Sequence, residues 1–440
     1  MKRKIDNELL NWKKSSLRKP LLLQGARQVG KTYSLEEFGK KEFKNYHLFD
    51  FMEHPDLCEI FKQDLSPKRI LRDLSIIYDH KIDAVKDLII FDEIQQCPEA
   101  LTSLKYFAKE QPNTFITSSG SLLGTELSSE SFPVGNINRL RLNPMDFDEF
   151  LTALGEDKIL EVLNSISFND PLPEPIHQKI WTLFKYYMIT GGLPDIVKHF
   201  LENIDSPSEG FTMVRKLQKE LINDYIDDIS KHSGKIKSVK IEAVFKNIPI
   251  QLARETQGVK KFVFKDVLPY ASRYSSLEAP IEWLIKSGLI IKVPVCSKPQ
   301  LPLKAYSDEK KFKLYMFDTG LLGCMLDLSP GTIFSYNYGS YKGFFAENIV
   351  LTELISEKNR TIYSWHRNTS EIEFLIEHNG KIIPIEVKAS INTKAKSLKV
   401  YIEKYSPVKT VLFSGRGKTY KNNSTIHLPL YMASKLYSII

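Results

Sequence analysis

The sequence holds few cysteines and no long apolar run, and each absence excludes a class of protein. Cys58, Cys97, Cys296 and Cys324 are its four cysteines, far apart and without paired spacing. That excludes a zinc-clasped or disulfide-stapled scaffold. No apolar stretch approaches the roughly 20 residues that span a bilayer. The basic start Met1-Lys2-Arg3-Lys4 runs into a mixed amphipathic segment, Ile5 to Lys19, which lacks the apolar core and small-residue cleavage site of a signal peptide. Internal repeats and low-complexity tracts are also missing. These absences predict a chain of the reducing cytoplasm with no membrane partner.

What is present is ordinary for a globular chain: 440 residues, 42% hydrophobic and 26% charged, enough for roughly two to four domains. The net charge of +8 is unevenly placed. From Lys381 onward eleven lysines and arginines face only Glu386 and Glu403, so the rest of the chain is close to neutral. Such a basic region reads either as a surface for DNA or RNA or as a solvated lysine-rich face.

The stretch Gly25-Ala26-Arg27-Gln28-Val29-Gly30-Lys31-Thr32 fits a phosphate-loop pattern. Leu21-Leu22-Leu23 before it reads as a buried strand, and Thr32 through Phe38 is compatible with a helix. Glycines let backbone N–H groups wrap phosphates, the helix N-terminus adds positive potential, Lys31 neutralises β- and γ-phosphate charge, and Thr32 offers a hydroxyl to Mg²⁺. ATP with Mg²⁺ is the expected ligand pair. The continuous apolar run Leu88-Ile89-Ile90-Phe91 then ends in Asp92-Glu93, as a strand buried on both faces would. At such a strand end Asp92 can hold the metal's water and Glu93 can polarise the attacking water. A further strand over Thr114 to Thr117 ends in Ser118-Ser119-Gly120-Ser121. Ser118 or Ser119 would there sense the γ-phosphate, unless the cluster is only a polar turn. Tyr46 to Asp50 reads as another strand, with Asp50 at its end. The alternation predicts a doubly wound α/β domain with its ligand at the carboxyl ends of the strands.

These motifs, together with Phe91-Asp92-Glu93-Ile94-Gln95, Leu142-Asn143-Pro144-Met145-Asp146-Phe147-Asp148-Glu149-Phe150 and Gly191-Gly192-Leu193-Pro194, resemble the bacterial and archaeal family of predicted AAA+ ATPases. In that family the core precedes a conserved C-terminal domain of uncertain role. The resemblance covers nearly the whole chain and implies that Lys31 and Thr32 bind ATP and Mg²⁺, Asp92 supports the metal, Glu93 activates water and Ser118 or Ser119 senses the γ-phosphate. The family often has Gly-Arg before the segment at Asn138 to Leu142, where this chain has Gly135-Asn136. A role for that arginine on a neighbouring subunit of a homo-oligomer would pass to Arg139 or Arg141, or be absent.

Four regions are expected: an AAA+ core over 1–155, a helical lid over 156–235, a winged-helix-like region over 236–330 and a nuclease-like α/β domain over 331–440. In the lid, Gly191-Gly192-Leu193-Pro194 reads as a tight interhelical turn. The third region reads as two short helices, Phe264 to Tyr270 and Leu277 to Ser287, with Ala279-Pro280 interrupting the second, followed by a hairpin. Lys260, Lys261, Lys265 and Arg273 could reach phosphates there, diluted by Asp266 and Glu278.

The last region sets Glu347 on a helix and two strands around His378-Asn379-Gly380, whose Asn-Gly is a hairpin signal. Glu386 and Lys388 share a strand face that Glu373 can meet. Three acids with one lysine suit metal-assisted phosphodiester hydrolysis. The arrangement resembles the PD-(D/E)XK nuclease fold, with Glu347, Glu373 and Glu386 as metal ligands beside Lys388. The strand acid is usually aspartate, though, and glutamate at 373 displaces the metal or demands another rotamer. The reading that follows is an ATPase that couples hydrolysis to conformational change, with nucleic acid as its target. The alternatives are an ATP-gated nuclease and a nucleotide-switched protein-binding module with little turnover.

Overall fold

The structure, a computed structural model, describes residues 1–121, 133–166, 168, 172–233, 235–254, 261–269, 273–335, 341–357, 360–389, 395–415 and 417–440. The chain divides into two compact units, one of residues 2–143 with 286–288, the other of residues 144–285 and 289–440 with residue 1. Among the described residues no helix is long and apolar enough to cross a membrane.

The first unit is built on β1 (Leu21–Gln24), β2 (Tyr46–Asp50), β3 (Leu88–Asp92), β4 (Phe115–Gly120) and β5 (Asn138–Arg141). They form one sheet in the order β2-β3-β4-β1-β5, and every pairing is parallel. β3 is buried at every position, which is what its unbroken apolar run requires of an interior strand. Helices Cys58–Gln63, Pro67–Ile77 and Pro98–Glu110 close a core of Phe49, Phe51, Phe61, Ile70, Leu74, Ile89, Phe91 and Leu104. Helix α1 (Ile5–Lys14) buries Ile5, Leu9 and Trp12, a helical spacing that makes one apolar stripe. Helix α2 (Lys31–Glu42) begins directly after the glycine loop. The AAA-like doubly wound core expected from the sequence is the observed one.

The second unit holds β6 (Ile290–Cys296), β7 (Ser307–Met316), β8 (Tyr363–Arg367), β9 (Ser370–His378), β10 (Lys381–Lys388), β11 (Thr410–Ser414), β12 (Tyr420–Asn422) and β13 (Thr425–Pro429). Their order is β12-β13-β11-β10-β9-β8-β6-β7. β9 and β10 meet through Asn379-Gly380, both at positive φ (50° and 72°), as a type I′ turn demands. The hairpin expected as a wing, β6-β7, is continuous with this sheet because β6 pairs parallel with β8. The expected boundary at 330 therefore does not separate two sheets. The boundary expected at 155 also differs, since the units divide between Asn143 and Pro144. Phe147 and Phe150 explain why: they stack into an aromatic cluster with Phe184, Tyr187 and Phe200.

Two helical expectations change in detail. The first short helix is a single 3₁₀ turn, Phe264–Asp266; Tyr270 and Lys260 lie outside the described residues. The second helix runs unbroken over Tyr274–Lys286 with Pro280 inside it. Proline removes one helical hydrogen bond, but its ring is buried in the stripe of Leu277, Ile281 and Leu284, and that burial offsets the loss. Lys261, Lys265 and Arg273 are exposed.

The glycine pair does form a tight turn between helices Glu174–Thr190 and Pro194–Leu201. Asp318 clamps it: Gly192 N–H donates to Oδ2 at 2.7 Å and Leu321 N–H to Oδ1 at 2.9 Å. A side chain at Gly191, where φ is 73°, would start 2.2 Å from that carboxylate. Burial pushes Asp318 up to about 6 despite its N–H donors and Arg215. An acid raised in this way contributes stability that is fully present below the ordinary carboxylate range and lost as pH rises through about 6. The stability of the wild type relative to Asp318→Asn is therefore expected to fall by up to about 3 kcal/mol between pH 4 and 6 and to stay flat above. Urea midpoints of both proteins across that range check this; a constant difference contradicts it.

Candidate functional site

The loop from Gly25 to Thr32 leaves β1 and turns into α2 through Gln28 and Gly30, at φ 64° and 90°. Gly25 tolerates no side chain, since a Cβ would lie 2.3 Å from the Leu142 carbonyl oxygen. Leu142 N–H in turn donates to Gln24 O at 2.7 Å, so β5 braces the loop at its root. Lys31 opens α2 and is 6% exposed. Its ammonium donates to Ala26 O at 2.9 Å and Gly25 O at 3.3 Å. Burial lowers its pKa, and Glu93 and Asp92 oppose that shift. These carbonyls are contacts the ammonium can exchange for phosphate oxygens.

Opposite the loop, the Thr32 hydroxyl donates to Asp92 Oδ2 at 2.7 Å. The other oxygen, Oδ1, accepts from the Ser119 hydroxyl and from Glu93 N–H at 3.0 Å. Burial pushes Asp92 up to about 6; the Thr32 hydroxyl lowers it and Glu93 raises it further. Glu93 itself turns at the strand end in the left-handed region, φ 46° and ψ 45°. Its carboxylate accepts from the Gln95 amide, which also approaches Ser121 Oγ at 3.4 Å.

The two candidate sensors separate cleanly. Ser119, on β4 between β1 and β3, faces the site, whereas the Ser118 hydroxyl donates 2.9 Å to Leu21 O on the neighbouring strand. Ser119→Ala is expected to slow ATP turnover about tenfold or more by freeing the Asp92 carboxylate, while Ser118→Ala stays within twofold and costs about 1 kcal/mol of stability. Steady-state turnover and urea unfolding of both variants read this out; a larger kinetic effect at Ser118 contradicts it. Gln95 and Ser121 carry no assigned role in the sequence beyond their places in the run Phe91 to Gln95 and in the polar cluster that ends at Ser121. Arg139 and Arg141 are exposed and two apart on β5, with Arg141 in register with Gln24 at the root of the loop.

Residues 17–151 match the model of an AAA domain, and residues 182–332 and 342–432 match two domains of unknown function (DUF8612 and DUF4143). The chain thus carries an AAA domain. An uncharacterized protein of Methanocaldococcus jannaschii is 25% identical to this chain over 395 residues, 86% of this chain and 77% of its own length. Among solved structures, a Walker-type ATPase of Pyrococcus abyssi is 17% identical, covering 74% of this chain and 95% of that one with a TM-score of 0.46. AMPPCP-bound DnaA from Aquifex aeolicus is 15% identical, covering 64% and 86% with a TM-score of 0.29.

The second constellation is assembled differently from the expectation. Glu347 does not join Glu373 and Glu386 around a common point. Its Oε2 accepts from the Tyr315 hydroxyl at 2.8 Å and lies 3.3 Å from the Lys313 ammonium. Lys313, 1% exposed, also pairs with Glu371 at 2.8 Å. Glu373 accepts from Val387 N–H at 3.2 Å, and Lys388 pairs with Glu386 on the same strand. Among the described residues no group of three His, Cys, Asp or Glu side chains is placed to hold a metal ion. Burial drives Glu386 well above the ordinary carboxylate range, with Glu373 adding to the shift and Lys388 opposing it. Desolvation works against Lys388's charge, but Glu373 and Glu386 prevail and raise its pKa. Lys313, Tyr315 and Glu371 were missed; the available signal was a polar residue between apolar ones on β7.

The basic face is partly visible. Lys381, Lys396, Lys399, Lys404, Lys418 and Lys421 are exposed, three of them on helix Lys396–Tyr405. Lys394 and Arg416 lie outside the described residues.

Proposed function

We propose that this chain is a cytoplasmic ATPase that binds ATP with Mg²⁺, hydrolyses it, and couples hydrolysis to conformational change on nucleic acid. The observation that carries the reading is the half-buried pair of Thr32 Oγ1 and Asp92 Oδ2, 2.7 Å apart, set between Lys31 and Glu93. A hydroxyl and a carboxylate of this kind suit a magnesium ion, which takes one or two protein oxygens beside substrate phosphates. Thr32 and Asp92 would hold it, and the ion would neutralise charge on the β- and γ-phosphates. The chain's own residues do the rest. Loop N–H groups and Lys31 bind the phosphates, Ser119 orients Asp92, and Glu93, fixed by Gln95, takes the proton of the attacking water.

The nucleic-acid part rests on the exposed lysines after residue 380, three of them on helix Lys396–Tyr405. The nuclease alternative is disfavoured, because Lys313 already supplies Glu347 with the positive charge that a metal would otherwise bring. ATP turnover measured with and without duplex and single-stranded DNA, from low to 0.2 M salt, tests the target. Stimulation that fades as salt rises is expected; turnover indifferent to DNA at every salt concentration contradicts it.

A further inference from the structure

Arg3 precedes the first helix in a stretch that the sequence offers only as basic, yet it is 6% exposed. One arm of its guanidinium donates to Val29 O at 3.0 Å, inside the phosphate loop, and the other donates to Asn143 O at 2.8 Å. Val29 is itself fully buried. A trans peptide directs its C=O and N–H to opposite sides. A charged donor on the Val29 carbonyl therefore turns the Gly30 N–H toward the other side, where loop N–H groups meet phosphate. A charge-assisted bond also polarises that peptide and strengthens its N–H as a donor. The second arm ties the same loop to the end of β5, whose Leu142 N–H already holds Gln24 at the loop's root. The loop is thus fixed at its base by backbone and at its crown by one side chain.

We propose that Arg3 is a positioning residue of the nucleotide site: it holds the Val29–Gly30 peptide in its phosphate-binding orientation from outside the loop. This rests on the reading of Gly25 to Thr32 as an ATP loop, and the test separates the two. Full-length wild type, Arg3→Gln, Arg3→Lys and Trp12→Phe are compared by hydrogen exchange without nucleotide, by binding of a fluorescent ATP analogue with Mg²⁺, and by thermal midpoint. Trp12→Phe is the control, since it removes the hydrogen bond of the same N-terminal helix to Lys19 O at 2.8 Å and trims its packing on Phe38 and Phe115, while leaving the Arg3 bonds to Val29 and Asn143 in place.

Arg3→Gln is expected to speed exchange at Gly30 to Thr32 and to weaken the analogue about tenfold, the size of one lost charge-assisted bond. Arg3→Lys should recover part of both, because an ammonium keeps the charge but lacks the forked guanidinium that here places one arm on each carbonyl. Trp12→Phe should shift the midpoint with the loop's exchange unchanged. Unchanged loop exchange in Arg3→Gln, or equal loop effects in Arg3→Gln and Trp12→Phe, overturns the proposal. If the wild type binds no analogue, the ATP reading fails, and the exchange comparison still decides whether Arg3 fixes the loop.

Discussion

Glu93→Gln lowers ATP turnover about a thousandfold and leaves ATP affinity within a few-fold, within the range expected for loss of a positioned general base. The substitution keeps shape and removes basicity. The new amide oxygen can still accept from Gln95, so the left-handed turn at the end of β3 has no reason to relax. Lys31, Thr32 and Asp92, to which the proposal gives ground-state binding, are untouched. Turnover and equilibrium binding measured side by side check the split. Equal loss of both would place Glu93 in binding, and unchanged turnover would remove it from the chemistry.

Lys313→Met destabilises the second unit by about 3–5 kcal/mol, the usual consequence of stripping one partner from a buried ion pair. Lys313 neutralises Glu371 at 2.8 Å and Glu347 at 3.3 Å, and its removal leaves both carboxylates in a buried setting that already pushes Glu386 upward. Methionine fills much of the volume, so a cavity contributes little and the charge effect dominates. The double variant Lys313→Met/Glu371→Gln should recover part of the loss. Denaturant midpoints of the three proteins read this out; a Lys313→Met chain as stable as the wild type would mean that the cluster finds its counter-charge elsewhere.

The nucleotide site was legible because its parts lie in short runs whose chemistry is local. A glycine loop between an apolar strand and a helix, and an apolar strand ending in two acids, each require particular residue types at adjacent positions. The Asn379-Gly380 turn was legible for the same reason. Choosing between Ser118 and Ser119 was not, because strand alternation puts them on opposite faces and only the neighbouring strands decide which face holds Asp92. Arg3 and Lys313 were invisible for a related reason. Their partners lie 26, 140 and 34 residues away, and nothing in a single sequence marks such pairs. The hairpin of β6 and β7 looked like a separate wing because its parallel pairing with β8 spans nearly seventy residues. Glu373 looked one methylene too long for a metal ligand, and in the fold its carboxylate accepts from a backbone N–H of β10 instead.

The measurement that bears most directly on the ATPase reading is phosphate release from ATP by the purified wild-type chain, with Mg²⁺ and with the metal chelated. Release that saturates with ATP and vanishes on chelation is the expected result, because the proposed mechanism has Thr32 and Asp92 hold the cation against the phosphates. A chain that neither binds nor hydrolyses millimolar ATP in the presence of Mg²⁺ would contradict it.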